Sequence, residues 1–144
     1  MKADIRWLEP MSFVGETGSG HAIVMDGAEE FGGRDLGPRP MEMLLLGLGG
    51  CTSFDVVLIL KKARQQITDC RAEVSAERAD TDPKVFTNIH VHFVITGHKL
   101  SETRVQKAIE LSSEKYCSAS IMLGATANVT HDFEIREACP EDNG

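Results

Sequence analysis

Residues Gly37 to Arg64 read GPRPMEMLLLGLGGCTSFDVVLILKKAR, with Cys51 near the middle. Pro40 suits a first helical turn, where its missing N–H removes no hydrogen bond. Lys61, Lys62 and Arg64 suit a last turn, where cations complement the helix dipole. Between Met41 and Leu60 the strongly polar side chains are Glu42, Thr52, Ser53 and Asp55. A helix apolar nearly all round is expected to be buried on more than one side. Gly47, Gly49 and Gly50 each cost roughly 1 kcal/mol in a helix interior. They call for close approach of another element, and they leave room beside the thiol. A lone cysteine in such a helix is either inert core or chemistry kept from water.

Strand patterns flank this helix. Residues 3–9, 11–15 and 21–25 form a small N-terminal meander, followed by the loop Asp26 to Arg39, which carries Arg34 and Arg39. The glycine-rich turn at 15–20 is not followed by a helix, so it lacks the logic of a phosphate loop. After the helix, residues 71–79 and 85–96 are strands joined at Thr81-Asp82-Pro83-Lys84, a turn sequence. Ile89, Val91, Phe93 and Ile95 alternate as a half-buried strand does. His90 and His92 share the other face. An H-x-H pair on a strand can hold a metal, but spacing offers no third ligand, and no metal is expected.

Ser101 is placed to cap a helix, with Val105, Ala108, Ile109 and Ser112 inward. The pattern slips near Lys115-Tyr116. A short second helix then runs from Cys117 to Leu123, closed by Gly124. Cys117 at a helix start is expected to have a lowered thiol pKa. Val129, His131, Phe133 and Ile135 mark a last strand. Cys70 reads as a residue at a strand start. Strands and helices segregate, so the class is α+β, with one domain over 1–138 and a polar tail over 139–144 that contains Cys139.

The net charge of −7 argues against nucleic acid and anionic membrane surfaces. The central helix is long enough to span a bilayer, but Asp55 and three glycines inside it argue against that reading. MKADIRWLEP lacks the basic-then-apolar pattern of a secretory signal, so a cytoplasmic protein is expected. The four cysteines form no C-x-x-C, and in that compartment a disulfide would be transient rather than structural.

Pro40, Met41-Glu42-Met43, Gly49-Gly50-Cys51, Asp55-Val56-Val57, Phe86-Thr87 and Ser113-Glu114-Lys115-Tyr116-Cys117-Ser118 together resemble the family of osmotically inducible protein C and the organic hydroperoxide resistance protein (OsmC/Ohr), most closely its YhfA-like branch. The likeness spans about residues 3 to 137. It implies an intertwined homodimer acting as a thiol-dependent peroxidase on organic hydroperoxides. Cys51 would match the peroxidatic and Cys117 the resolving cysteine, the two forming a disulfide that an external dithiol reduces, with no bound cofactor. It also implies a loop arginine holding the Cys51 thiolate and a glutamate orienting that arginine. Arg34 and Arg39 both qualify for the first role.

Two departures accompany the likeness: the loop arginine does not align uniquely, since neither Arg34 nor Arg39 falls at the family's usual distance from the proline, and the glutamate is displaced. In the family the glutamate directly follows the proline, where this chain has Met41. Glu42 is nine residues before Cys51, roughly 180° away around a helix. Asp55, one turn after Cys51 on its face, is the alternative carboxylate, either paired with an arginine or merely capped by nearby hydroxyls. Phe31, Met41, Met43, Leu44, Leu48 and Phe54 would line a wall for a peroxide tail, or else are plain core. A redox-sensing or ligand-binding protein without peroxidase activity is the other reading.

Overall fold

The computed structural model describes residues 1–139. The chain divides into two compact units, Met1–Leu45 and Leu46–Gly144, and α1 (Pro40–Lys62) runs through the boundary. Residues 140–144, most of the expected polar tail, lie outside the described residues.

The first unit holds the expected meander. Strands β1 (Ala3–Leu8), β2 (Ser12–Thr17) and β3 (Ala22–Asp26) form an antiparallel sheet in that order. Trp7 opposes Phe13 and Val14 opposes Val24. The following loop is organised by Asp26, which the sequence did not single out. Its carboxylate accepts the backbone N–H groups of Gly27, Arg34 and Leu36 at 2.8, 3.0 and 3.1 Å. Burial acts to push this carboxyl up, but those donors outweigh it and hold Asp26 below the usual carboxylate range. Gly37 is required, because a Cβ there would collide with the carbonyl oxygen of Val24.

The second unit contains β4 (Gln66–Arg78), β5 (Phe86–His98), α2 (Glu102–Leu111), a π turn (Ser112–Tyr116), α3 (Ser118–Gly124) and β6 (Asn128–Glu137). β4 pairs antiparallel and β6 parallel with the central β5. The parallel pairing follows from the helical crossover between β5 and β6, long enough to return the chain to the same edge direction. Both hairpin strands begin or end beyond their expected limits, so Cys70 lies inside β4 rather than at its start. Ile89, Val91, Phe93 and Ile95 are buried as their alternation requires, with Val105, Ala108 and Ile109 from α2. Ser101 caps α2 through the Arg104 amide.

Helix α1 is less covered than its composition implies. Its buried residues are Leu48, Gly49, Thr52, Val56 and Leu60, a stripe at i, i+4 spacing. Leu46, Phe54 and Leu58, two residues out of phase with that stripe, are exposed. The expected all-round burial is therefore corrected for the single chain. The glycines divide the same way. A Cβ on Gly49 would lie 3.2 Å from Val74 Cγ2 on β4, so Gly49 permits close packing there. Gly47 and Gly50 face open space, so close approach within the chain accounts for one glycine of three. The helix closes with Arg64 in the left-handed conformation, φ 57°.

Candidate active site

Cys51, Asp55 and Cys117 come together. Their ligand-type atoms, the two Sγ atoms and an Asp55 carboxylate oxygen, all lie within 4.8 Å of one another. All four cysteines are free thiols. Cys51 and Asp55 are partly exposed and Cys117 is fully buried. On the helical wheel Cys51 and Asp55 flank the buried Leu48–Leu60 stripe, at its border with the open face.

Local backbone chemistry explains how Cys117 arrives there. The slip in periodicity near Lys115-Tyr116 is the π turn, in which the Cys117 amide donates to the Ser112 carbonyl at 2.8 Å. Such single π turns recur where a helix must re-aim a side chain. Cys117 then caps α3, its Sγ accepting the Ser120 amide at 3.4 Å. The expected lowering of its pKa does not follow. Burial pushes the Cys117 thiol up, and neighbouring Cys51 pushes the same way, outweighing the Ser120 donors. Desolvation of the thiolate wins over one cap of a two-turn helix.

Ser112 ties the two cysteine-bearing elements together. Its hydroxyl lies 2.8 Å from Thr52 Oγ1 and 3.3 Å from Asp55 Oδ2. Thr52 and Ser112 are fully buried. Asp55 thus has a hydroxyl donor, the capped alternative raised by the sequence. Sequence reasoning missed Ser112 as a site residue; its inward position just after α2 was legible, its reach to α1 was not.

The other expected site residues fall as follows. Glu42 Oε2 accepts the backbone N–H of Arg39 at 2.8 Å, the third helical residue reaching back to the cap. The Arg39 guanidinium pairs with Asp35 at 2.8 Å, and that of Arg34 donates to the Glu9 carbonyl at 3.3 Å. Glu42 therefore binds the Arg39 amide rather than a guanidinium. Of the apolar wall, Leu48 is fully buried and belongs to the core, which corrects its assignment to a substrate surface. Phe31 and Leu44 are exposed, and Met41 is half-buried. Phe54, 70% exposed, bounds a depression of about 400 Å³ with Gly50, Ser53, Leu58 and Cys70. A larger cleft of about 990 Å³ lies between α2, α3 and β6, rimmed by Glu102, Glu110 and Glu114, and neither Cys51 nor Cys117 lines it.

The H-x-H pair has a partner that spacing did not reveal. Asp132 of β6 accepts from His90 Nε2 at 2.9 Å and from His92 Nδ1 at 2.7 Å. Parallel pairing sets Asp132 opposite His92 and Thr130 opposite His90, across some forty residues of sequence. Thr130 Oγ1 satisfies His90 Nδ1 at 2.7 Å. Hydrogen bonds from His92 and then His90 hold the Asp132 carboxyl below its ordinary range. This is a satisfied polar network on the outer sheet face.

Comparison with known proteins agrees with this architecture. The chain is 44% identical over 135 residues to Protein YhfA of Escherichia coli (strain K12), covering 94% of this chain and 98% of that one. A hypothetical protein from Aquifex aeolicus VF5 is 29% identical with a TM-score of 0.84, over 96% of this chain and 97% of that one. An organic hydroperoxide resistance protein from Elizabethkingia anophelis shares the fold at 16% identity and a TM-score of 0.71, over 93% and 94% of the two chains. Residues 32–132 match the model of the OsmC-like protein family, and the chain belongs to that family.

Proposed function

We propose that the chain is a thiol-dependent peroxidase that reduces organic hydroperoxides, working as a cytoplasmic homodimer in defence against oxidants. The observation that carries this reading is the convergence of Cys51 and Cys117 Sγ within 4.8 Å, one partly exposed and one fully buried. The exposed member meets peroxide; the buried member waits.

The Cys51 thiolate attacks the distal peroxide oxygen. The O–O bond breaks, the alkoxide takes a proton and leaves as alcohol, and Cys51 becomes a sulfenic acid. Cys117, kept protonated by burial, does not compete for peroxide. Its sulfur then attacks Cys51 Sγ, forming the disulfide as the sulfenic oxygen leaves. The Cys117 proton joins that departing oxygen, which leaves as water, with Asp55 within 4.8 Å of both sulfurs. A dithiol reduces the disulfide and restores both thiols. The family pattern calls for a loop arginine to stabilise the thiolate, and Arg34 and Arg39 are the candidates by sequence. The exposed Phe54 is the wall residue offered to the alkyl part of the peroxide, and the depression it bounds is lined by Cys70 and by neither Cys51 nor Cys117. The exposed Leu46, Phe54 and Leu58 and the open sides of Gly47 and Gly50 support a second copy covering this helix face, since contiguous apolar surface marks an interface.

Steady-state consumption of cumene hydroperoxide with a dithiol reductant tests the reading. Turnover should vanish in Cys51→Ser. Peroxide consumption equal to that of the parent in Cys51→Ser would end it. One observation favours a slower, sensing role: Glu42 caps the Arg39 amide, and Met41 holds the place of the family's orienting glutamate. In that case the disulfide forms stoichiometrically, without turnover.

A further inference from the structure

Asp55 stands one turn after Cys51 on α1. Two thiols and a carboxylate, all within 4.8 Å of one another, are the donor types that Zn²⁺ takes. Zinc holds thiolates at about 2.3 Å and carboxylate oxygens at about 2.0–2.2 Å, so two thiolates in a tetrahedral site stand about 3.8 Å apart. The donors would draw in by roughly 1 Å at most to meet that geometry.

The surroundings fit an ion site as well. Ser112 Oγ, 3.3 Å from Asp55 Oδ2, donates to the carboxylate, the kind of outer support on which metal ligands depend. Cys117 is buried, while Cys51 and Asp55 are partly exposed, so the site has a dry wall and an entry path. Three protein ligands leave a fourth position for water.

We propose that the reduced Cys51–Cys117 pair, with Asp55, forms a binding site for a thiophilic divalent cation of the Zn²⁺ class, which occupies the dithiol between oxidations. This rests on the pairing of the two thiols in the preceding reading, but not on peroxidase activity. Binding replaces two thiol protons, which pass to solvent, and nothing is oxidised. The disulfide offers no thiolate, so oxidation expels the ion, and the bound ion shields Cys51 from oxidants and alkylating agents.

Co²⁺ is the probe, because thiolate ligation gives near-ultraviolet charge-transfer bands. The full chain with Cys70→Ser and Cys139→Ser retains the relevant pair alone. The reduced protein should bind one Co²⁺ per chain with those bands, lose them on oxidation to the disulfide, and release Co²⁺ to added Zn²⁺. Asp55→Asn should weaken binding at least tenfold with unchanged far-ultraviolet circular dichroism. Absence of the bands in the reduced protein, or their persistence in the disulfide form, would overturn the proposal, and neither outcome requires the Asp55 variant. Unchanged affinity in Asp55→Asn would also overturn it. Peroxide consumption is measured separately. A chain that consumes peroxide but leaves Co²⁺ unbound sinks the ion site alone; one that binds Co²⁺ but ignores peroxide sinks the peroxidase reading alone.

Discussion

Ser112 Oγ stands 3.3 Å from Asp55 Oδ2, while the Ser112 carbonyl holds the Cys117 amide at 2.8 Å. One buried serine thereby sets the carboxylate on α1 and the start of α3 in one frame. Ser112→Ala would strand Thr52 Oγ1 and remove the Asp55 partner. Leaving buried polar groups unpaired costs about 1–3 kcal/mol. Urea denaturation should read that loss. Formation of the Cys51–Cys117 disulfide should also slow, more than the initial oxidation of Cys51.

Phe93 and Phe54 separate the core from the proposed dimer face. Phe93 is fully buried and stacks on His131 with ring centroids 6.3 Å apart. Phe93→Ala should cost about 3–5 kcal/mol, the range for large-to-small changes in packed cores. Phe54 is 70% exposed in the single chain. Phe54→Asp should leave the fold of one chain intact and shift sedimentation from dimer toward monomer. A parent chain that sediments as monomer at high concentration would remove the proposed dimer.

Cys117 gives a pH dependence with a definite sign. Its folded pKa is raised by burial, so the native state keeps a proton that the unfolded chain releases. Stability from this group is fully present below the unfolded thiol pKa and falls as pH rises through the raised folded value. Chemical denaturation of the parent and of Cys117→Ser across the alkaline range should therefore converge as pH rises. The resolving step should quicken over the same range, as the Cys117 thiolate becomes populated.

Asp26 works in the opposite direction. Backbone donors from Gly27, Arg34 and Leu36 hold its carboxyl down, against the upward push of burial. Its contribution is present above the unfolded carboxylate pKa and lost as pH falls through the lowered folded value. Amide exchange of Arg34 and Leu36 should accelerate in that acid range. In Asp26→Asn it should be fast at neutral pH too.

The elements with local periodicity were legible in the sequence. The alternation of Ile89 to Ile95 marked β5, Ser101 marked the start of α2, and the run from Pro40 marked α1. The broken period at Lys115-Tyr116 was visible, though its cause, a π turn, is a backbone hydrogen-bond choice that composition does not encode. Contacts between distant segments were not legible. Ser112 meets Asp55 from 57 residues away, and Asp132 reaches His92 only because β6 pairs parallel in register with β5. The thiol pKa of Cys117 was misjudged because a helix start is a local feature and burial is a global one. The half-open face of α1 has the same origin: apolar composition states that a surface needs covering, not that its own chain covers it.

The most direct measurement is a single turnover. Reduced protein is mixed with one equivalent of cumene hydroperoxide, quenched by alkylation and mapped by peptide mass spectrometry. The expected result is loss of one peroxide per chain, with a Cys51–Cys117 disulfide formed in equal amount and a Cys51 sulfenic acid accumulating in Cys117→Ser. Unreacted peroxide, or oxidation that falls on Cys70 or Cys139 while Cys51 stays reduced, would contradict the account.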